Sequence, residues 1–405
     1  MIKYTLSQNI SITAISDYGI ECVPEKFHAD HFVLYHEIKK REFLINPSIK
    51  YFLDKFTTPH PLSEVINSVK QELNTDSHEV EKVCNEFFDF LLTKKIIVEE
   101  GVIEKIVEKS LLFKEGDVVD RLIIQTLISN RKEVALYKVS DQVSQSDFVL
   151  KILLKGKTKD DTEFSNETGW LEREYALLQR MSHIPAMCKA FSFDKNEALA
   201  YIQLEYIKGK SLNSFLDDIE GFELEVALTF LSRMIAPFAA MHQSDLIHGD
   251  IHSSNILVIE NMEVKIIDLG FSSLAELEKD QLMKSGGVTF YMPPERINLT
   301  SVKKYKSSSA NLRSDVYQVG LLMFLTVYKI LPFSGFIWEE LATNIQEAGI
   351  DFSTVSFSGY PVPENLISIM KKCLERNPVD RYANASFILK DFNRHFYPQN
   401  EPVIN

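Results

Sequence analysis

A lysine stands in the middle of the apolar run Phe148-Val149-Leu150-Lys151-Ile152-Leu153. Its aliphatic and β-branched neighbours make the run a buried strand. A lone ammonium there is costly unless an anion meets it, so the fold must bring a negative charge to that strand. The next stretch supplies a candidate. In Trp170-Leu171-Glu172-Arg173-Glu174-Tyr175-Ala176-Leu177-Leu178, Glu174 is followed by Leu178 and Met181 at helical spacing and borders a packed helix face.

Further polar residues follow in a definite order. Leu204-Glu205-Tyr206-Ile207-Lys208-Gly209 reads as a strand ending in a turn. Then come HGDIHSSNIL at 248–257, VKIIDLG at 264–270 and YMPPE at 291–295. Asp315-Val316-Tyr317-Gln318-Val319-Gly320 opens an apolar helix, and Arg381 closes the series in NPVDRY. His248, Asp250, His252 and His242 also admit a zinc reading. His-x-Asp-x-His alone is a weak signal for it, because zinc needs three or four convergent ligands.

This order and spacing resembles the eukaryotic-like protein kinase superfamily over about residues 117–397, through six motifs rather than any one. The resemblance implies phosphoryl transfer, which needs charge placed around a triphosphate and an oriented nucleophile. It implies that Lys151 holds the α- and β-phosphates of ATP and that Glu174 pairs with it. Asp250 would orient the acceptor hydroxyl and take its proton. Asn255, five residues on, and Asp268 of Asp268-Leu269-Gly270 would hold Mg2+, for which carboxylate and amide oxygens are suitable hard donors. Glu205 and Tyr206 would form the hinge whose backbone binds adenine. Glu295, Asp315 and Arg381 match scaffold positions.

The sequence also departs from that pattern. The Gly-rich loop is absent, its three glycine positions falling on Leu127, Ser129 and Lys132. Bulkier residues let backbone amides approach phosphate less freely, so Ser129 and Asn130, with Arg131 and Lys132, are expected to cover the phosphates instead. Gly249 replaces the arginine that in many family members docks a phosphorylated activation loop, so control by loop phosphorylation is not expected. His252 replaces the lysine two places beyond the aspartate, and Val288 the activation-segment threonine. HGD followed by a histidine is also similar to aminoglycoside and choline kinases, and to lanthipeptide-type peptide kinases.

Ahead of this region, HFVLYHEI and REFLIN flank Lys39-Lys40 as a hairpin. Asn46-Pro47 reads as a cap and first turn, followed by Ile49, Phe52, Leu53 and Phe56 at helical spacing. Pro61 opens a second helix with Leu62, Val65, Ile66, Val69 and Leu73 on one face. Ser77 caps a third with Val80, Val83, Cys84, Phe87 and Leu91 aligned, and Ile96-Ile97-Val98 forms a strand. The arrangement resembles the small winged-helix, PqqD-like domain of peptide-modifying enzymes. That resemblance implies capture of a precursor's leader peptide as an added strand, since an exposed edge offers unpaired N–H and C=O groups. The edge would be about Arg41–Ile45 and the supporting helix about Ser77–Thr93.

With 405 residues, 45% of them hydrophobic, the chain has ample core for more than one domain. A net charge of −13 does not favour wrapping a nucleic-acid backbone, which needs a basic face, so nucleic acid is not an expected partner. The four cysteines form no CxxC pair, as expected of core thiols in a reducing compartment. No signal peptide is evident, and the longest apolar run, near Val319–Tyr328, is too short to span a membrane. A cytoplasmic protein without membrane contact is therefore expected.

The expected fold is α+β: a bilobal protein-kinase-like fold behind an N-terminal winged-helix domain. The divisions are residues 1–100 for the peptide-recognition domain, 101–116 for a linker, 117–205 for the N-lobe, 206–397 for the C-lobe and 398–405 for a tail. The expected function is ATP- and Mg2+-dependent phosphorylation of Ser or Thr in a precursor peptide, as in lanthipeptide-like peptide biosynthesis. A separate lyase or cyclase would act next. The alternatives are a small-molecule phosphotransferase and a pseudokinase binding scaffold.

Overall fold

A computed structural model describes residues 2–8, 10–14, 32–36, 41–45, 47–75, 77–102, 113–131, 134–155, 161–274, 289–297, 310–334 and 338–398. The chain divides into two compact units, Met1–Leu112 and Phe113–Asn405.

In the first unit, β1 (Tyr4–Leu6) is followed by β2 (Ile10–Ala14), β3 (Phe32–His36) and β4 (Arg41–Ile45), then α1 (Pro47–Asp54), α2 (Leu62–Glu72), α3 (His78–Thr93) and β5 (Ile97–Glu99). β2, β3 and β4 form an antiparallel meander, with Val33 opposite Leu44 and Leu34 opposite Phe43. β4 is an outer strand of that sheet among the described residues. β1 pairs with β5. The Lys39-Lys40 turn and the Asn46 cap lie outside the described residues.

The helices form because their apolar residues repeat at three and four, and they pack through that stripe. Phe52, Leu53 and Phe56 of the first helical stretch, Val65, Ile66 and Val69 of α2, and Cys84, Phe88 and Leu91 of α3 join Leu34 and Ile97 in one core. Burying each large apolar side chain contributes about 1.5–3 kcal/mol. The Ser77 side chain caps α3 by accepting the Glu79 N–H. Two residues placed on the apolar stripes by spacing face water instead. Leu73 follows the last residue of α2, and Val83 sits one position, about 100°, off the buried Cys84.

The second unit begins earlier than the sequence divisions suggest, since the Phe113 ring packs edge-on to Tyr137. β6 (Val118–Val119), β7 (Leu122–Arg131), β8 (Val134–Asp141) and β9 (Asp147–Leu154) precede α4 (Asp161–Arg180), β10 (Ala190–Lys195) and β11 (Leu199–Glu205). They form an antiparallel sheet in the order β10-β11-β9-β8-β7-β6. Alternation in β8 buries Ala135, Tyr137 and Val139 on one face. Lys151 in β9 lies opposite Leu136 on one side and Ile202 on the other.

A mainly helical part follows. β12 (Lys210–Ser211), α5 (Leu212–Asp218), α6 (Leu224–Gln243), β13 (Leu246–Ile247), β14 (Ile256–Val258), β15 (Val264–Ile266) and β16 (Ser273–Leu274) lead into α7 (Leu312–Tyr328), α8 (Trp338–Glu347), α9 (Glu364–Cys373) and α10 (Ala385–Phe396). α7 is buried from Ser314 to Tyr328, as a helix apolar all round must be. Gly320 permits its close approach to α9, for a Cβ there would lie 2.6 Å from that of Cys373. Among the described residues one helix, α6, is long and apolar enough to be a candidate span. By length and composition α6 could cross a membrane. Here Phe230, Leu231, Met234, Ile235 and Phe238 are core residues of the unit.

Candidate active site

The anion demanded by the buried lysine is present twice. Lys151 Nζ lies 2.7 and 2.8 Å from the two carboxylate oxygens of Glu174 on α4. It also lies 3.0 Å from Asp268 Oδ1, 117 residues along the chain. Burial pulls the ammonium towards its neutral form, yet the Asp268 and Glu174 carboxylates outweigh that and hold it above the ordinary lysine range. Burial likewise raises Asp268, but Lys151 and the Gly270 N–H, 2.9 Å from Oδ1, keep it well below the usual carboxylate range. The three side chains are therefore charged together, and this pairing joins the sheet, α4 and the segment after β15.

The stretch 248–252 is a loop that leads into a 3-10 turn at Ser253–Asn255, and it is held by its backbone. Asp315 at the start of α7 accepts the His248 N–H at 2.7 Å and the Gly249 N–H at 2.9 Å, one on each carboxylate oxygen. Gln318, one turn further along α7, accepts the Ile251 N–H at 3.0 Å. The Asp250 N–H points to His248 Nδ1 at 3.3 Å. Asn255 donates its side-chain N–H to the Asp250 carbonyl at 3.1 Å. Asp250 is thus fixed by its neighbours at both ends, which orients its carboxylate.

His242 and His252 have partners other than a metal. His242 Nδ1 accepts the Ala385 N–H at 2.9 Å and its Nε2 faces Asp315 at 3.1 Å. His252 Nδ1 accepts the Ser254 N–H at 3.2 Å, so the neutral ring carries its proton on Nε2. That Nε2 lies 3.6 Å from Asp250 Oδ2, a contact rather than a hydrogen bond. Burial holds His248 below the ordinary histidine range. Among the described residues no three His, Cys, Asp or Glu side chains converge as a metal site.

The oxygen chemistry fits magnesium. Asn255 uses its amide nitrogen on the Asp250 carbonyl, which leaves its carbonyl oxygen as a hard donor. Asp268 binds Lys151 and the Gly270 amide through Oδ1, which leaves Oδ2. Lys151, Glu174 and Asp268 thus meet directly, and the Ile267 N–H donates to the Asn255 carbonyl at 3.0 Å, which ties the loop bearing Asp250 and Asn255 to the residue just before Asp268. A family model described as "Protein kinase domain" matches residues 133–393.

The chain belongs to the protein kinase domain family. It is 25% identical over 251 residues to a probable serine/threonine-protein kinase of Clostridium perfringens, covering 61% of this chain and 34% of that protein. It is 23% identical over 264 residues to the serine/threonine-protein kinase PrkC of Bacillus subtilis, covering 64% and 38%. It is 23% identical over 271 residues to the serine/threonine-protein kinase PknL of Mycobacterium tuberculosis, covering 65% and 63%. The matches thus span less than two thirds of these relatives' own lengths.

At the hinge of the kinase domain, Glu205 turns its carboxylate away to Lys265 Nζ at 3.1 Å and to the Lys189 N–H. Its own N–H donates to the Lys189 carbonyl at 2.8 Å. The N–H groups of Tyr206 and Ile207 have no backbone partner among the described residues. These two N–H groups lie at the position that the kinase resemblance assigns to the hinge. Ser129 and Asn130 lie within β7, opposite Leu136 and Ala135, just after a shift of register between Leu127 and Ser129. Of the covering loop, Lys132 lies outside the described residues, as do the side chains of Asn130 and Arg131.

The scaffold positions meet as an ion pair. Arg381 is buried and donates to both oxygens of Glu295, at 3.0 and 2.8 Å. Two contributors carry no role in the sequence reading. Gln318 holds the catalytic loop through Ile251 and donates to the Tyr291 carbonyl at 3.1 Å. It stands three residues after Asp315 on one helix face, a spacing that points to it. Arg296 donates to the Gly249 carbonyl at 2.6 Å, and no local pattern marks it.

Proposed function

We propose that this chain is an ATP-dependent kinase that phosphorylates Ser or Thr of a precursor peptide held by its N-terminal unit. The observation that carries the reading is the charged set of Lys151, Glu174 and Asp268 beside a catalytic loop that fixes Asp250 and Asn255. When bound, ATP and Mg2+ supply the transferable phosphoryl group and neutralise its charge. Lys151, held charged and directed by Glu174, positions the triphosphate. Asn255 and Asp268 would hold the metal through their remaining oxygens. Asp250 orients the acceptor hydroxyl and takes its proton. The serine/threonine-protein kinase names of the relatives support transfer to a protein hydroxyl.

The outer position of β4 in the meander supports the peptide part, because an extended leader can add there as a further strand. α3 belongs to the same unit and is the element that would flank the leader. In lanthipeptide-like biosynthesis a separate lyase or cyclase would consume the phosphorylated side chain.

The test is mass spectrometry of a Ser/Thr-rich precursor, sought beside the gene, incubated with the protein, ATP and Mg2+. A gain of one phosphoryl group is expected, and Asp250→Asn should lower the rate by at least about 100-fold while ATP still binds. No mass gain with the intact precursor would sink the kinase reading. Deleting residues 1–100 should remove peptide capture, and undiminished peptide affinity would refute the role of β4.

A further inference from the structure

We infer that Arg296 is a positioning residue that locks the catalytic loop by gripping the Gly249 peptide, in a conformation no side chain at position 249 could join. The inference rests on the phosphotransfer reading of the same loop.

The grip is two-sided. The Gly249 N–H is held by Asp315 Oδ1 at 2.9 Å, and its carbonyl by Arg296 Nη1 at 2.6 Å. A single residue, immediately before Asp250, is thus clamped between α7 and the short turn Pro294–Arg296. The backbone at Gly249 has φ +78, a region favoured by glycine. A Cβ there would lie 2.8 Å from the Phe271 carbonyl oxygen and 3.4 Å from the Ala310 Cβ. The loop therefore runs too close to the Phe271 backbone to bear a side chain, and a cation needed at this place has to arrive from another segment.

Arg296 is that cation. It is only half-buried by exposure, yet burial pulls its guanidinium down from the ordinary arginine value while Asp315, Asp250 and Glu295 oppose the shift. One guanidinium thus sits in the field of both carboxylates that define the loop. An arginine is fitted to this, being always charged and able to direct several donors at once. It follows Glu295, which is itself anchored to Arg381 and accepts the Ser314 Oγ–H at 2.8 Å. The arginine is therefore delivered from a fixed base. A grip made by a permanent charge needs no added phosphate to form.

Hydrogen exchange by mass spectrometry or NMR on the full chain reads the clamp without depending on activity. The reporters are the amides of Gly249, Asp250 and Ile251, whose acceptors are Asp315, His248 and Gln318. Arg296→Met should raise exchange at these amides at least tenfold and leave the α6 and α7 core unchanged. Arg296→Lys, which still offers a charged donor, should restore part of the protection. Unchanged exchange in Arg296→Met would overturn the inference. So would a loss of protection throughout the C-lobe, which marks a merely structural role.

In turnover, Arg296→Met should lower kcat at least tenfold with little change in the KM for ATP, and phosphatase treatment of the wild type should leave kcat within twofold. A large fall on dephosphorylation would refute the constitutive lock. If the wild type itself transfers no phosphate, the proposed reaction fails, while the exchange data still decide the clamp.

Discussion

Replacing Glu295 by glutamine tests how far the buried ion pair organises the end of the activation segment. Arg381 has five N–H donors and all five are used. Nη1 and Nη2 each bond one Glu295 oxygen. Nη1 also donates to the Arg313 carbonyl at 2.9 Å, Nη2 to that of Arg376 at 3.0 Å, and Nε to that of Glu375 at 2.6 Å. Both side chains are almost wholly enclosed, at 0% and 6% exposure, so water cannot substitute for a lost partner. Glutamine keeps one oxygen for Nη1 and the Ser314 hydroxyl. It removes the charge and sets an amide N–H2 against Nη2.

Breaking a buried pair on one side costs about 3–5 kcal/mol, because the remaining charge stays buried without compensation. At about 2 °C per kcal/mol for a unit of this size, Glu295→Gln should lower Tm by about 6–10 °C. Scanning calorimetry and urea unfolding give the two measurements. The apolar double variant E295M/R381M should not recover fully, since the carbonyls of residues 313, 375 and 376 lose donors worth about 1–3 kcal/mol each. A Glu295→Gln protein within about 1 kcal/mol of wild type would refute the reasoning, for it would mean that the pair is effectively solvated.

Two further outcomes follow from burial. Leu91→Ala empties a fully enclosed position in α3 and should destabilise the N-terminal unit by about 2–5 kcal/mol in urea unfolding, whereas a loss below about 1 kcal/mol would contradict that packing. His248 has a pKa held below the ordinary value of about 6.5, so below that pH the unfolded chain takes up a proton that the folded ring refuses. Stability should therefore fall as pH drops below about 6.5, with a contribution of up to about 1.4 kcal/mol per pH unit that His248→Gln removes. An identical pH slope in that variant would show that the ring titrates normally in the fold.

The sequence alone determined a great deal here, because the costs involved are local or tied to residue type. A lysine inside FVLKIL demanded an anion, since charge cannot be buried alone, and the ordered HGD, DLG and PPE motifs named the groups that phosphoryl transfer requires. Helical spacing placed Phe52, Val65, Cys84 and Leu91 in the N-terminal core, and Ser77 as a cap, because these preferences act over one or two turns.

Only the tertiary structure decided which partners meet. Either Glu174 or Asp268 could have answered Lys151, and the fold brings both, across 23 and 117 residues. Only the fold revealed that Gly249 is excluded from bearing a side chain by the Phe271 carbonyl, and that Arg296 reaches its carbonyl from 47 residues away. It also sent the Glu205 carboxylate to Lys265 rather than towards a nucleotide. Such contacts join segments with no fixed spacing along the chain. Their energies depend on distance and burial in three dimensions, which a pattern of residues does not contain.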